Sequence, residues 1–201
     1  MLRFLLVPTM VLVLSSLASA AEVHVLIVYH TQSGHTRLMA EAVAEGARAV
    51  LGVRVKLQSV KEAKIPDVLS AEAIVLGSPV TNANVAPEMQ SFINAWPFRG
   101  APLRDKVGAA FVSAGGISAG EETAQLALLR SMLCFGMVIV GGPHWTGSFG
   151  ASAITDEEPF ASDKTSMVGE PFLAKARGLG RRVAEATLRL HASPVSPEEE
   201  P

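Results

Sequence analysis

Cysteine occurs once in this chain, at position 134. A single thiol excludes an internal disulfide and a thiolate-held metal cluster. No cysteine follows the amino-terminal apolar stretch to carry a lipid. Cys134 stands among Leu128, Leu129, Met132, Leu133 and Phe135, a neighbourhood that predicts a buried apolar thiol. Charge is scarce as well: 17 Lys and Arg against 19 Asp and Glu leave a formal net charge of −2. That balance excludes the basic footprint of a nucleic-acid binder and also a polyanionic surface. Aromatics are 5% of residues, and Tyr29 is the one tyrosine. Beyond residue 20 no run is long and apolar enough to span a bilayer. His30 and His144 lack the partner spacing of a metal site.

Against this background one stretch carries chemistry. Val23, Val25, Leu26, Ile27 and Val28 form an apolar, β-branched run suited to a strand buried on both faces. A hydroxyl-rich loop follows: Thr31, Gln32, Ser33, Gly34, His35, Thr36. Leu38, Met39, Ala42, Val43, Ala47 and Val50 then recur at helical spacing. A strand that feeds such a loop into a helix presents the free N–H groups of the first turn, and the positive end of the helix dipole, to an anion. The loop contains no Lys, and Arg37 lies beyond it, so a phosphate here is held by neutral donors.

This lack of a cation sorts the phosphate-binding classes. No Gly-x4-Gly-Lys-Ser/Thr run exists for a nucleoside triphosphate. A dinucleotide fold wants three glycines in the turn and an acid ending the second strand, where this chain has one glycine and then Gln58 and Ser59. A phospho-receiver needs acids where Tyr29, His30 and Thr31 stand. A monophosphate site of the kind FMN occupies in a flavodoxin-like fold remains. The competing reading makes Thr36 a plain helix N-cap in an unliganded α/β protein.

The rest of the chain organises around one domain. Arg3, the mostly apolar Phe4 to Leu14 and the small-residue triplet Ala18-Ser19-Ala20 predict a signal peptide over residues 1–20 and an exported protein, with an uncleaved membrane anchor as the alternative. Residues 21–192 then form a single domain, and the tail 193–201 (SPVSPEEEP) is predicted to be disordered. Further strands are predicted at Val53 to Val60, Ala73 to Ser78, Lys106 to Ser113 and Met137 to Gly141. Helices are predicted at Thr36 to Leu51, Ala86 to Trp96, Gly120 to Phe135 and Pro171 to Leu190. Lys61 to Ala71 is too short for a long helix, and Gly142 to Gly169 reads as a long loop. This alternation predicts an α/β three-layer sandwich with a five-stranded parallel sheet in the order 2-1-3-4-5, whose ligands bind at the carboxyl ends of the strands.

Three loops would meet at that edge. Besides Thr31 to Thr36 they are Ser78, Pro79, Val80, Thr81, Asn82 after the third strand, and Ser113, Ala114, Gly115, Gly116, Ile117, Ser118 after the fourth. The first of these two is compact and polar enough to pass beside a flat ring. The glycines of the second allow close backbone approach, with N–H groups able to stabilise negative charge near flavin N1 and O2. Asp156, Glu157 and Glu158 read as a solvated turn, and Trp145 and Phe149 lie in the long loop, where ordinary packing is the first reading and covering the ring or contacting a partner subunit the alternative.

The pieces VLIVYHTQSGHTRLMAEAVAEGA and AIVLGSPVTNANVAPEMQSFINAW, together with the run from Lys106 to Gly142, resemble the flavodoxin-like NAD(P)H:quinone oxidoreductases of the WrbA type. The resemblance implies non-covalent FMN, with phosphate contacts at Thr31 to Thr36 and ring contacts from the other two loops. It implies NAD(P)H as hydride donor, a quinone or other small redox acceptor, a dimer or tetramer, and substrate-facing positions at Trp96 and Phe135. No side chain acts as a nucleophile, because flavin N5 carries the chemistry. The chain departs from the family where Thr81 and Asn82 replace an Arg-Phe pair and Cys134 and Phe135 replace a His-His pair. A flavodoxin-type one-electron carrier is the rival reading, disfavoured by the near-neutral charge and the lone Tyr29; an exported, FMN-free binding module is a third.

Overall fold

The computed structural model describes residues 22–161 and 167–191. The expected signal peptide and carboxyl-terminal tail lie outside the described residues. Strand β1 (Val23–Tyr29) pairs in parallel with β2 (Val53–Ser59) on one side and β3 (Ala73–Thr81) on the other. Beyond β3 comes β5 (Val107–Ala114), and then an edge shared by β6 (Val138–Ile139) and β7 (Ala151–Ile154). The parallel order is the expected one. A two-residue strand, β4 (Asn84–Val85), adds a hairpin to the end of β3.

Both faces of the sheet are covered, which is why its strands read as unbroken apolar runs. Val25, Ile27, Val75 and Phe111 face α1 (His35–Arg48) and α5 (Glu170–His191). Leu26, Val28, Ile74 and Val112 face α2 (Ile65–Ser70), α3 (Pro87–Asn94) and α4 (Glu121–Cys134). The short α2 occupies part of the segment 61–71, and the half-buried Lys106 ammonium ties its end to β5 by donating to the carbonyls of Leu69 (2.8 Å) and Ala71. That burial holds the Lys106 pKa below its ordinary value.

Two expectations need correction. The segment 137–141 supplies only the start of the fifth strand, because the chain leaves the sheet after Val140, whose N–H donates to Gly108 O at 2.9 Å. It closes a loop on itself through Gly142 N–H to Gly147 O (2.7 Å) and rejoins the edge at β7. Gly150, at φ +124°, makes the return possible, since a Cβ there would stand 1.9 Å from Ala110 O. The long loop 142–169 therefore contains a strand. Cys134 is exposed and Leu133 is 57% exposed. The buried stripe of α4 follows Ala124, Leu128, Leu129 and Met132, and at about 100° per residue the next two positions turn off it.

Helices α1 and α5 touch backbone to backbone. A Cβ on Gly46 would lie 1.9 Å from Arg177 O, and one on Gly180 would lie 1.9 Å from Val43 O. Neither neighbour is a flexible side chain, so a methyl group can only be seated by separating the helices. Gly180→Ala is therefore expected to cost about 2–3 kcal/mol, the upper range for overpacking a core, measured as a lower urea midpoint at unchanged m-value. Gly147→Ala, with only Gly142 Cα at 3.8 Å, is the matched control and should change little.

Candidate functional site

At the end of β1 the His30 N–H donates to Gly77 O (2.9 Å), which carries the strand direction into the first loop. There the Gly34 N–H donates to Thr31 Oγ1 (3.0 Å) and closes the turn. Gly34 adopts φ +100°, a left-handed conformation that side chains rarely tolerate, and a Cβ would also stand 3.2 Å from Met167 Cε. It caps α1 without a side-chain hydrogen bond. The first helical bond runs from Leu38 N–H to Gly34 O (3.1 Å), so helix geometry leaves the N–H groups of His35, Thr36 and Arg37 unused within α1. Thr31, Gln32 and Ser33 reach the surface around them, with Ser33 Oγ 2.9 Å from His35 Nδ1. Arg37 turns along the helix toward Glu41 (3.9 Å) rather than toward the loop. Burial, with the Glu62 carboxylate nearby, raises the Tyr29 phenol above its ordinary pKa.

Thr36 and Ser113, from two different loops, meet as a buried hydroxyl pair 2.8 Å apart. They are 1% and 6% exposed, so they bolt the start of α1 to the end of β5. Ser78 is equally committed: its hydroxyl accepts the Ala86 N–H (2.9 Å) and donates to Pro79 O (2.8 Å). Past it β3 continues through Val80 and Thr81 and turns at Asn82 and Ala83, whose φ angles of +48° and +59° make the two-residue hairpin turn. The tip rests on Gly120, where a Cβ would stand 2.6 Å from Ala83 Cα. Beneath the hairpin Gly77 leaves room for the Phe111 ring, 2.0 Å from where a Cβ would be.

The third loop runs from Ser113 and Ala114 through Gly115, Gly116 and Ile117 to Ser118 at φ +60°. Asp156 and Glu157 are exposed, as the expected solvated turn requires, and their segment also runs along this loop. Asp156 N–H donates to Gly115 O (2.9 Å), and Ile117 N–H donates to Glu157 Oε2 (2.5 Å). The available signal was the apolar run Ala151–Ile154: read as a parallel strand, it delivers the residues that follow it to the carboxyl edge. His30 is buried beside this edge with Nε2 3.4 Å from Glu88 Oε2 and no hydrogen bond.

All three expected loops thus converge at one edge. A family profile described as NADPH-dependent FMN reductase matches residues 62–152. A protein of Azorhizobium caulinodans named NAD(P)H dehydrogenase (quinone) is 35% identical over 197 residues, covering 83% of this chain and 98% of that one. A protein of Aquifex aeolicus named flavodoxin is 33% identical over 169 residues, covering 80% and 85%. Among solved structures, a flavodoxin, WrbA-like protein from Agrobacterium tumefaciens superposes with TM-score 0.69 at 23% identity, covering 83% of this chain and 98% of its own. The chain belongs to the flavodoxin-like NAD(P)H dehydrogenase (quinone) family.

The donor set fits the flavin mononucleotide of such a family: uncapped helix N–H groups and the hydroxyls of Thr31 and Ser33 suit a phosphate, and the third loop offers backbone N–H groups at the same edge. Two positions expected to face the substrate, Trp96 and Phe135, do not join the three loops within one chain. Trp96 ends α3 and is buried against Phe92 (5.9 Å between ring centroids) and Phe135 (5.3 Å). Phe135 follows α4, next to Gly136 O, which accepts the Asp105 N–H ahead of β5. Both therefore sit at the amino edge of the sheet, opposite the three loops within one chain. Phe135, with Phe98 and Leu133, borders a cleft of about 240 Å³ there. Helices that leave the carboxyl edge and run back antiparallel to the strands necessarily end at the other edge. Trp145, 87% exposed, is likewise no packing residue.

The buried Thr36–Ser113 pair yields a double-mutant test. Thr36→Val or Ser113→Ala alone leaves one buried hydroxyl without its partner and should cost about 1–3 kcal/mol. The double variant should cost clearly less than the sum, because both polar groups are gone. Strict additivity in urea denaturation would show that the two hydroxyls do not depend on each other.

Proposed function

We propose that the protein is an FMN-dependent oxidoreductase that passes electrons two at a time from NAD(P)H to a quinone or a similar small acceptor. The observation that carries this reading is the convergence of the three loops at the carboxyl edge, around helix N–H groups that no side chain caps. When bound, FMN supplies a hydride-accepting ring atom, so no nucleophile or general acid is needed from the chain. The residues then have holding roles. Thr31, Ser33 and the first turn of α1 hold the phosphate. Val80, Thr81 and Asn82 border the ring from the β3–β4 hairpin, and the backbone of Gly115 to Ser118 faces its polar edge. Ser78, Thr36 and Ser113 act behind these groups by fixing the loops in place.

The relative named flavodoxin keeps a one-electron carrier as the second reading. Charge weighs against it, since a net −2 offers little of the acidic surface that such carriers use. Export, motivated by Arg3, the apolar Phe4 to Leu14 and Ala18-Ser19-Ala20, belongs to the same proposal, as does assembly into a dimer or tetramer.

The purified protein, incubated with FMN and passed through gel filtration, should keep the flavin absorption bands and then oxidise NADPH when a quinone is added. A flavin-free protein would sink the enzyme reading; flavin retention without NADPH oxidation would favour the carrier. Gly34→Asp is expected to abolish flavin retention, because a carboxylate at the helix start repels the phosphate. Gly34→Ala imposes the same backbone strain without charge and should lose less. Full flavin on the Asp variant would show that the phosphate sits elsewhere.

A further inference from the structure

The third loop carries an occupant of its own. After β7 the chain does not turn away. Thr155 donates from its N–H (3.0 Å) and its hydroxyl (3.2 Å) to Ala114 O, and Asp156 N–H donates to Gly115 O. Each step advances the segment along the loop. Asp156 Oδ2 and Glu157 Oε2 end 2.9 and 2.8 Å from where Cβ atoms on Gly115 and Gly116 would stand. The chain's own carboxylates thus occupy the space beside both glycines. Glu157 Oε2 takes the Ile117 N–H at 2.5 Å, a charge-assisted bond, and Glu121 Oε1 takes the Ser118 N–H at 3.2 Å.

We propose that Glu157 is a built-in competitor for the flavin ring, holding the Ile117 N–H that a ring oxygen or nitrogen would accept. The proposal rests on the FMN reading of the site. An N–H makes one good hydrogen bond, so the ring gains this donor only when the carboxylate leaves. Glu157 is exposed and its side chain is long, which lets it swing into water without moving the backbone. Apparent affinity is then the intrinsic affinity reduced by the fraction of molecules in which the donor is free. Binding of the ring releases a carboxylate at the mouth of the site. Glu158, one residue on, carries the same charge, makes no such bond among the described residues, and serves as the control.

The test titrates the flavin-free full-length protein with FMN and with riboflavin, following flavin fluorescence, for the wild type, Glu157→Gln and Glu158→Gln. Glutamine keeps the shape but is a weaker, uncharged acceptor. Glu157→Gln should tighten both ligands by a similar factor, about 3- to 10-fold, in keeping with replacing a charged hydrogen bond by a neutral one. Glu158→Gln should leave both unchanged. Unchanged or weaker binding by Glu157→Gln would overturn the proposal. So would tightening for FMN alone, since riboflavin lacks the phosphate and a general relief of charge repulsion acts only through it. Equal tightening by Glu158→Gln would overturn it for the same reason. Failure of every form, wild type included, to bind either flavin would instead bring down the FMN reading itself, and the proposal with it.

Discussion

The contact between α1 and α5 constrains the rest of the molecule. Two helices whose backbones meet at Gly46 and Gly180 have one relative position available, because no side chain stands between them to be rearranged. Small residues extend the seam, Ala40, Val43, Ala44 and Ala47 on one helix and Ala176 and Ala184 on the other. The seam sets the axis of α1 over the face formed by Val25, Ile27, Val75 and Phe111. At the other end of the same helix the Thr36–Ser113 bond fixes its start against β5. A helix pinned near both ends presents its unused N–H groups in one fixed place. Dipoles that cannot reorient are what an anion site needs, since no reorganisation opposes binding.

Chain direction then divides the molecule into two unlike edges. In a parallel sheet every strand delivers its following loop to the same side, so the hydroxyl loop, the hairpin and the glycine loop cannot avoid one another. The helices return the chain to the opposite side, where Trp96, Phe98 and Phe135 close over the other ends of the strands. Polar backbone is exposed at one edge and aromatic surface gathers at the other.

Much of this was legible in the residue order where the signal was local and periodic. The doubly buried strands showed as apolar runs, and α1 showed through the spacing of Met39, Val43 and Ala47. The strand order followed from the alternation itself. Features set by residues far apart in sequence were not legible. β7 is four residues long and lies at the edge only because Gly141, Gly142 and Gly150 let the chain leave and return. The hydroxyls of Thr36 and Ser113 looked like two ligand donors, and only the fold reveals that they face each other. Asp156 and Glu157 are the solvated acids their sequence suggests, but the bond from the Ile117 N–H to Glu157 spans 40 residues and could not be read locally. Trp96 and Phe135 were placed by resemblance, which fixes position in an alignment but not which edge of the sheet a residue reaches.

The charge distribution at the carboxyl edge follows from the same geometry. Among the described residues no Lys or Arg points into the first loop, since Arg37 pairs along the helix with Glu41, while two carboxylates line the third. An anion held there is therefore bound by dipoles with a fixed direction, against a weak opposing field. Neutral dipoles act at hydrogen-bond range and release no counterions, so such a site depends on fit rather than on long-range attraction and is weakly screened by salt. It also cannot concentrate polyanions around itself, which matches a surface with almost no net charge. Selectivity must then come from where the helix and the two remaining loops stand relative to one another. That returns the burden to the glycine seam and the hydroxyl pair that hold them there.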